Sequence, residues 1–294
     1  MNRVLKFNLA LKKFQKLLDQ SQEKVFPEAH LIKLIEENRS NWDLPITVGA
    51  NKLLGRFVDQ NLFKVIELQI GERKTTRYII GEPSIYEIAV SLRSKSYISH
   101  FPAILLNGLT NQIPKTIYLT HELSQKAKVV GNLSQKAIDS AFSKPQRRSE
   151  LSTLYNDYKI VFLEAKNSNR IGVTNKGVIP FTNIERTLID STVRPNYSGG
   201  CFIVLEAYRE AVLKRVSVNK LVAILNKLDY IYPYNQAIGF YLERAGYKGS
   251  MIEILRRKKM EFDFYLDYNL TEKEYSPDWR IYYPKGLPDY RNYL

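Results

Sequence analysis

Three groups of residues in this 294-residue chain have side chains that can do chemistry. Asp157 precedes Glu164-Ala165-Lys166, and an apolar run at 160–163 lies between them. A carboxylate followed by a (D/E)xK unit is how metal-dependent nucleases hold Mg²⁺ and activate water. A three-residue unit is common by chance, and a strand end bearing surface charges explains it equally. Gly249-Ser250, followed by Glu261 and Asp263, has the outline of a nucleotidyltransferase site. There a Gly-Ser turn meets the triphosphate and alternating carboxylates hold the metals. The intervening Arg256-Arg257-Lys258-Lys259 run is not the loop such a site needs. A period-two strand with one polar face accounts for the carboxylates. His30, His100 and His121 lack metal-ligand spacing, and His100 has only Ser99 beside it. Each reads as a satisfied structural histidine. There is no P-loop and no GxGxxG, and Gly199-Gly200 reads as a helix-entry turn. No catalytic residue, metal or cofactor is expected.

Residues suited to recognition are better placed. The spacing predicts a helix over 47–60 that buries Leu53, Leu54, Phe57 and Val58 and exposes Asn51, Lys52, Arg56 and Gln60. Residues 62–69 and 75–80 read as a hairpin turning at Gly71-Glu72-Arg73-Lys74. Upstream, 26–39 reads as a helix with Pro27 in its first turn, and 41–45 as a turn. Helix, helix and basic-tipped hairpin is the order of a winged helix-turn-helix, although no middle helix stands out between 39 and 47, where one short turn near 45–49 is the candidate. A helix fits the DNA major groove, where Asn51, Lys52 and Arg56 can reach base edges. Arg73, Lys74 and Arg77, placed on the hairpin tip and its flank, can reach phosphates or the minor groove.

Charge agrees with an acidic partner. The net charge is +14. It is +4 over residues 1–25, zero over 26–82, +7 over 83–181 and +3 over 182–294. Such a balance points to nucleic acid, and a solvated basic surface is the bland alternative. No apolar run approaches the ~20 residues of a membrane span. The first residues lack the apolar core and cleavage site of a signal peptide. The lone Cys201 excludes an internal disulfide and a Cys-rich metal cage. A cytoplasmic protein is expected.

Residues 4–19 predict an amphipathic helix with Leu5, Leu9, Phe14, Leu17 and Leu18 on its apolar face, packed on a neighbouring domain or a second subunit. A further helix is expected at 85–92. Residues 97–114, YISHFPAILLNGLTNQIP, predict a helix capped by Ser99 and stopped at Gly108, joining two domains. Beyond it, strands are expected at 117–120, 160–163, 171–174 and 178–181, and a helix at 133–142. The segment 143–148, SKPQRR, reads as a basic loop. Thr182 is expected to cap a helix with Glu185 completing a capping box. Arg186 and Asp190 are expected to form a buried pair that fixes packing. Helices are expected at 202–213, 218–228 and 235–245, a strand at 261–268, and a Tyr- and Pro-rich tail docked by Trp279, Tyr282 and Tyr283.

Three blocks carry a family resemblance: ISHFPAILLNGLTNQIP within 97–114, IERTLIDSTVRPNYSGG at 184–200 and YPYNQAIGFYLERAGY at 232–247. Together they resemble the AbiEi family of abortive-infection antitoxins, regulators of bacterial phage-defence operons. The resemblance implies an N-terminal module that binds operator repeats in double-stranded DNA. It also implies a C-terminal domain that helps to neutralise a nucleotidyltransferase-type toxin, without direct contact being required. The expected fold is α+β: an amphipathic helix at 1–25, a winged-helix-like DNA-binding domain at 26–96 and a larger mixed C-terminal domain at 97–294. A homodimer is compatible with this reading, and no membrane partner is expected. The alternative is a metal-dependent enzyme acting on nucleic acid, with the winged module as its reader.

Overall fold

A computed structural model describes residues 3–123 and 133–290. The elements follow in the order α1 (Arg3–Asp19), β1 (Val25–Pro27), α2 (Glu28–Asn38), α3 (Ala50–Asp59), β2 (Lys64–Ile70), β3 (Arg73–Ile79) and α4 (Ile85–Ser91). Then come β4 (Tyr97–Ser99), α5 (His100–Leu106), β5 (Thr116–Glu122), α6 (Gln135–Phe142), β6 (Ser152–Tyr155), β7 (Tyr158–Ala165), β8 (Val173–Lys176) and β9 (Ile179–Thr182). The remainder is α7 (Ile184–Val193), a 3₁₀ turn (Pro195–Ser198), α8 (Cys201–Leu213), α9 (Val218–Leu228), α10 (Tyr234–Arg244), α11 (Gly249–Arg256), β10 (Phe264–Tyr265), β11 (Lys273–Ser276) and β12 (Ile281–Pro284). The fold is α+β. The chain divides into a smaller unit, Met1–Ser94 with Leu151–Ile160 and Asn175–Ile179, and a larger one made of the rest.

The smaller unit has a three-stranded antiparallel sheet in the order β1-β3-β2. Its helices close over one aromatic core. Phe14 of α1 packs on Phe57 at 4.9 Å and on Trp42 at 5.2 Å, while Leu31, Ile35, Leu53 and Leu54 fill the space around them. The order helix–strand–helix–helix–strand–strand is that of a winged helix. Three expectations change here. The helix near residue 26 begins at Glu28, because Val25 and Phe26 pair with Ile79 and Tyr78 as a strand. Pro27, with no N–H to give, closes that edge strand and precedes the helix. The absent middle helix is α2 itself, since α1 is the first helix of the same core. In α1 Phe14 and Leu18 are buried as expected and Leu17 packs beside them, but Leu9 is exposed and Ala10 takes its place in the core.

In the larger unit the strands β7-β5-β4-β9 are hydrogen-bonded neighbours. The helix expected within 97–114 starts directly after Ser99 as its spacing implied, but the residues that precede it, Tyr97–Ser99, were not expected as a strand. They form a fully buried one, with Ile98 opposite Leu119 on one side and Phe181 on the other. The helix begins at His100, and Gly108 closes it at φ +66°. The Ser99 hydroxyl caps nothing: it bonds His100 Nδ1 at 2.8 Å and Thr120 Oγ1 at 2.7 Å. The α7 cap is Asn183 rather than Thr182; Asn183 Oδ1 accepts from Arg186 N–H at 3.0 Å. Thr182 turns its hydroxyl to Thr187 at 2.7 Å. The strand expected over 261–268 shrinks to β10, helix α11 precedes it, and the tail forms the β11–β12 hairpin beside β10. Trp279 of the tail is fully buried on α10, and Tyr283 is buried near it.

Candidate nucleic-acid interface

Helix α3 starts after Gly49 and buries Ala50, Leu53, Leu54 and Phe57. A 3.6-residue period then forces Asn51, Lys52, Gly55 and Arg56 outward, and all four are exposed. Lys52 and Arg56 are one turn apart on the same side. The Arg56 guanidinium stands 6.0 Å over the Phe7 ring of α1.

The connection into α3 is held by a residue that sequence reasoning passed over. Arg39, just past α2, donates through Nη1 to the Pro45 carbonyl at 2.7 Å and the Val48 carbonyl at 2.8 Å. Its Nε and Nη2 fork onto Glu36 at 2.8 and 2.6 Å. Glu36 draws its strength from that fork, which holds its carboxyl below the usual range. The i, i+3 spacing of Glu36 and Arg39 was the available signal. What it secures is a single turn, closed by Val48 N–H on the Pro45 carbonyl at 3.2 Å, from which α3 departs.

The hairpin turns over two residues, Gly71-Glu72, with φ +56° at Gly71, the glycine position of a II′ turn. Arg73 and Lys74 are thereby strand residues, and both are exposed. Lys74 Nζ lies 3.4 Å from Glu67, an exposed pair of small energetic weight. A Cβ added to Gly71 would meet a Leu151 methyl at 3.3 Å, so the segment leading into β6 backs the tip.

Arg77 is the correction within this set. It does not reach the flank of the tip: it is buried, with Nε and Nη2 donating to the Ser91 carbonyl at 3.1 and 2.7 Å and Nη1 to the Thr76 carbonyl at 2.7 Å. Burial lowers its pKa without a carboxylate partner to oppose the effect. Asn51, Lys52, Arg56, Arg73 and Lys74 remain as the exposed set.

The enzyme-like patterns do not assemble. Asp157 precedes β7 and Glu164 stands near its far end, so seven residues of strand at about 3.3 Å each separate them by ~23 Å. Gly249 and Ser250 form the first turn of α11. Asp263 is engaged by Arg280 at 2.9 Å and Tyr275 at 2.8 Å, and Glu261 by Lys259 at 2.6 Å. Among the described residues no three His, Cys, Asp or Glu side chains are grouped to hold a metal. His30 lies 3.6 Å from Glu23. His100 is buried against Tyr118 and Tyr197, and burial pulls its pKa down to about 3.

The expected Arg186–Asp190 pair is buried at 2.7 Å. Arg186 Nη1 also donates to the Ile171 carbonyl at 2.9 Å and Ser168 Oγ at 3.2 Å. Burial pushes the Asp190 carboxyl up against the pull of Arg186. This pair sits on α7, which packs against α5, α8 and α10, so the three sequence blocks share one core.

No protein-family model matches the chain. No curated protein sequence matches it. Among solved structures it is similar to the RV2827C protein from Mycobacterium tuberculosis, with a TM-score of 0.56 and 11% identity over 93% of this chain and 91% of that one. At that identity the likeness shows a shared fold and nothing of function. Among the described residues no helix is long and apolar enough to cross a membrane.

Proposed function

We propose that the smaller unit binds duplex DNA, with α3 in the major groove and the β2–β3 hairpin on the adjacent backbone. In this reading the protein is a promoter-binding autorepressor and antitoxin of the AbiEi kind, acting in the cytoplasm. The observation that carries the reading is the α3 face: Asn51, Lys52 and Arg56 stand exposed on a helix whose opposite side is locked into an aromatic core. Asn and Arg side chains make the bidentate contacts that distinguish A and G in that groove. The antitoxin half rests on the three blocks' resemblance, and its functional partner is a nucleotidyltransferase-type toxin. No catalytic step is assigned to this chain.

The test is titration of the chain's own promoter duplex and a scrambled duplex over a range of salt. With four to six phosphates neutralised, log affinity falls against log salt with a slope of about −4 to −5. Arg56→Ala is expected to cost about 1–3 kcal/mol on the specific site and little on the scrambled one. Equal loss on both duplexes would remove Arg56 as a base reader. An isotherm flat in salt would remove DNA binding itself.

A further inference from the structure

The loop 143–148 and the turn 194–200, far apart in sequence, meet within the larger unit. Arg194 Nη1 donates to the Arg147 carbonyl at 3.3 Å, and the Tyr197 hydroxyl donates to the same carbonyl at 3.4 Å. That hydroxyl accepts from Ser149 N–H at 2.9 Å, and Ser149 Oγ donates to the Phe162 carbonyl at 2.7 Å. Asn196 Nδ2 bridges Gln146 Oε1 at 3.4 Å and Asp267 Oδ1 at 3.3 Å. Gln146 is buried, so the loop backbone is pinned from below.

What the pinned backbone presents is cationic. Lys144, Arg147, Arg148 and Arg194 are all exposed. Among the described residues no carboxylate stands at ion-pair distance from any of them. The contrast is with Arg256, Arg257, Lys259 and Arg280 of the same unit, each held by its own Glu or Asp. Beside the cations lies a half-buried tyrosine. Tyr268 stacks one ring face on Phe142 at 4.4 Å, at the start of the loop, and its residue neighbour Asp267 accepts from Asn196. Planar guanidinium groups suit phosphate oxygens, and an anchored tyrosine ring is a platform for an unstacked base.

We propose that this surface binds single-stranded nucleic acid, with phosphates on Arg147, Arg148 and Arg194 and a base on Tyr268. A duplex offers no unstacked base to that ring, and an acidic peptide offers carboxylates without a base. The site lies in the other unit from α3 and takes a different ligand, so it stands apart from operator binding.

The experiment uses the full chain and fluorescently labelled 20-nucleotide single strands, RNA and DNA, with a 20-base-pair duplex alongside. The triple variant Arg147→Ala, Arg148→Ala, Arg194→Ala is expected to bind single strands at least tenfold more weakly. Its salt slope should be shallower by about two, from three lost phosphates at about 0.7 each. Tyr268→Leu should lower the affinity about tenfold and Tyr268→Phe should leave it unchanged, because stacking needs the ring and not the hydroxyl. The variant Lys52→Ala, Arg56→Ala should bind single strands like the parent. A triple variant with parental affinity, loss confined to the Lys52 and Arg56 variant, or equal competition by polyglutamate would overturn the proposal. Circular dichroism and melting of each variant keep misfolding from passing as lost binding. A preference for RNA over DNA would assign the sugar, and equal binding would assign the backbone and base alone.

Discussion

Arg77 and Ser91 are joined by the guanidinium of the first and the carbonyl of the second, at 2.7 and 3.1 Å. A cation in the strand that leads away from the hairpin tip thus faces inward and ties β3 to the end of α4. Its neighbours Arg73 and Lys74 face water. Arg77→Ala is expected to lower stability by about 1–3 kcal/mol, since buried carbonyls lose a charged donor. DNA affinity measured on the folded fraction should stay within about twofold of the parent. Arg73→Ala with Lys74→Ala should do the reverse: stability within ~0.5 kcal/mol, with all duplexes bound more weakly and a salt slope lower by up to about two. Urea denaturation beside fluorescence titration separates the two patterns. A large affinity loss in folded Arg77→Ala would return that residue to the interface.

Arg39 holds the turn before α3 through two carbonyls and one carboxylate. Arg39→Lys removes the fork while keeping the charge, because one ammonium cannot reproduce the planar geometry. Stability should fall by about 1–2 kcal/mol, and discrimination between specific and scrambled duplex should shrink as α3 loses its fixed departure angle. Unchanged discrimination in the lysine variant would show that the clamp is irrelevant to recognition.

Gly239 of α10 lies under the Trp279 indole: a Cβ there would stand 2.1 Å from Cζ3. Trp279 Nε1 donates to Glu243 one turn along at 2.6 Å, which fixes the ring against the helix. Gly239→Ala should destabilise the larger unit by about 1–3 kcal/mol by overpacking, despite the gain in helix propensity. A thermal midpoint equal to or above the parent's would mean that the indole can move aside at no cost.

His100 gives the larger unit a pH dependence of known sign. Its folded pKa of about 3 lies below the ordinary 6.5, so the unfolded chain binds the proton more tightly. The stabilisation is complete above about pH 6.5 and is lost as pH falls from 6.5 towards 3. At pH 5 the loss is about 2 kcal/mol at 1.36 kcal/mol per unit. Glu122, whose carboxyl is lowered by bonds from Ser168, Arg170 and Tyr97 against the cost of burial, loses stability in the same direction on acidification. His100→Gln should therefore flatten the stability curve between pH 7 and 5 without abolishing it. Denaturant midpoints that run parallel for variant and parent would deny His100 this role.

The exposed and buried faces of α3 were legible in the sequence because a helix closes its hydrogen bonds within four residues. Once Leu53, Leu54 and Phe57 claim the core, the period alone turns Asn51, Lys52 and Arg56 to water. The Arg186–Asp190 pair was legible for the same reason, being one turn apart on α7. The strand Tyr97–Ser99 was not, since its backbone partners lie at Leu119 and Phe181 and three residues carry too little pattern to announce a sheet. Nor could the hairpin sequence disclose the burial of Arg77. Strand alternation puts Arg73, Thr75 and Arg77 on one side, and only the return of α4 decides that Ser91 covers the last of them. The same holds for Gly239, whose missing side chain has meaning only beneath Trp279, and for the loop 143–148, whose backbone is held by Arg194 and Tyr197 from a distant part of the chain. Local periodicity set the elements and their faces; which faces became buried was decided by partners that only the folded chain brings within contact distance.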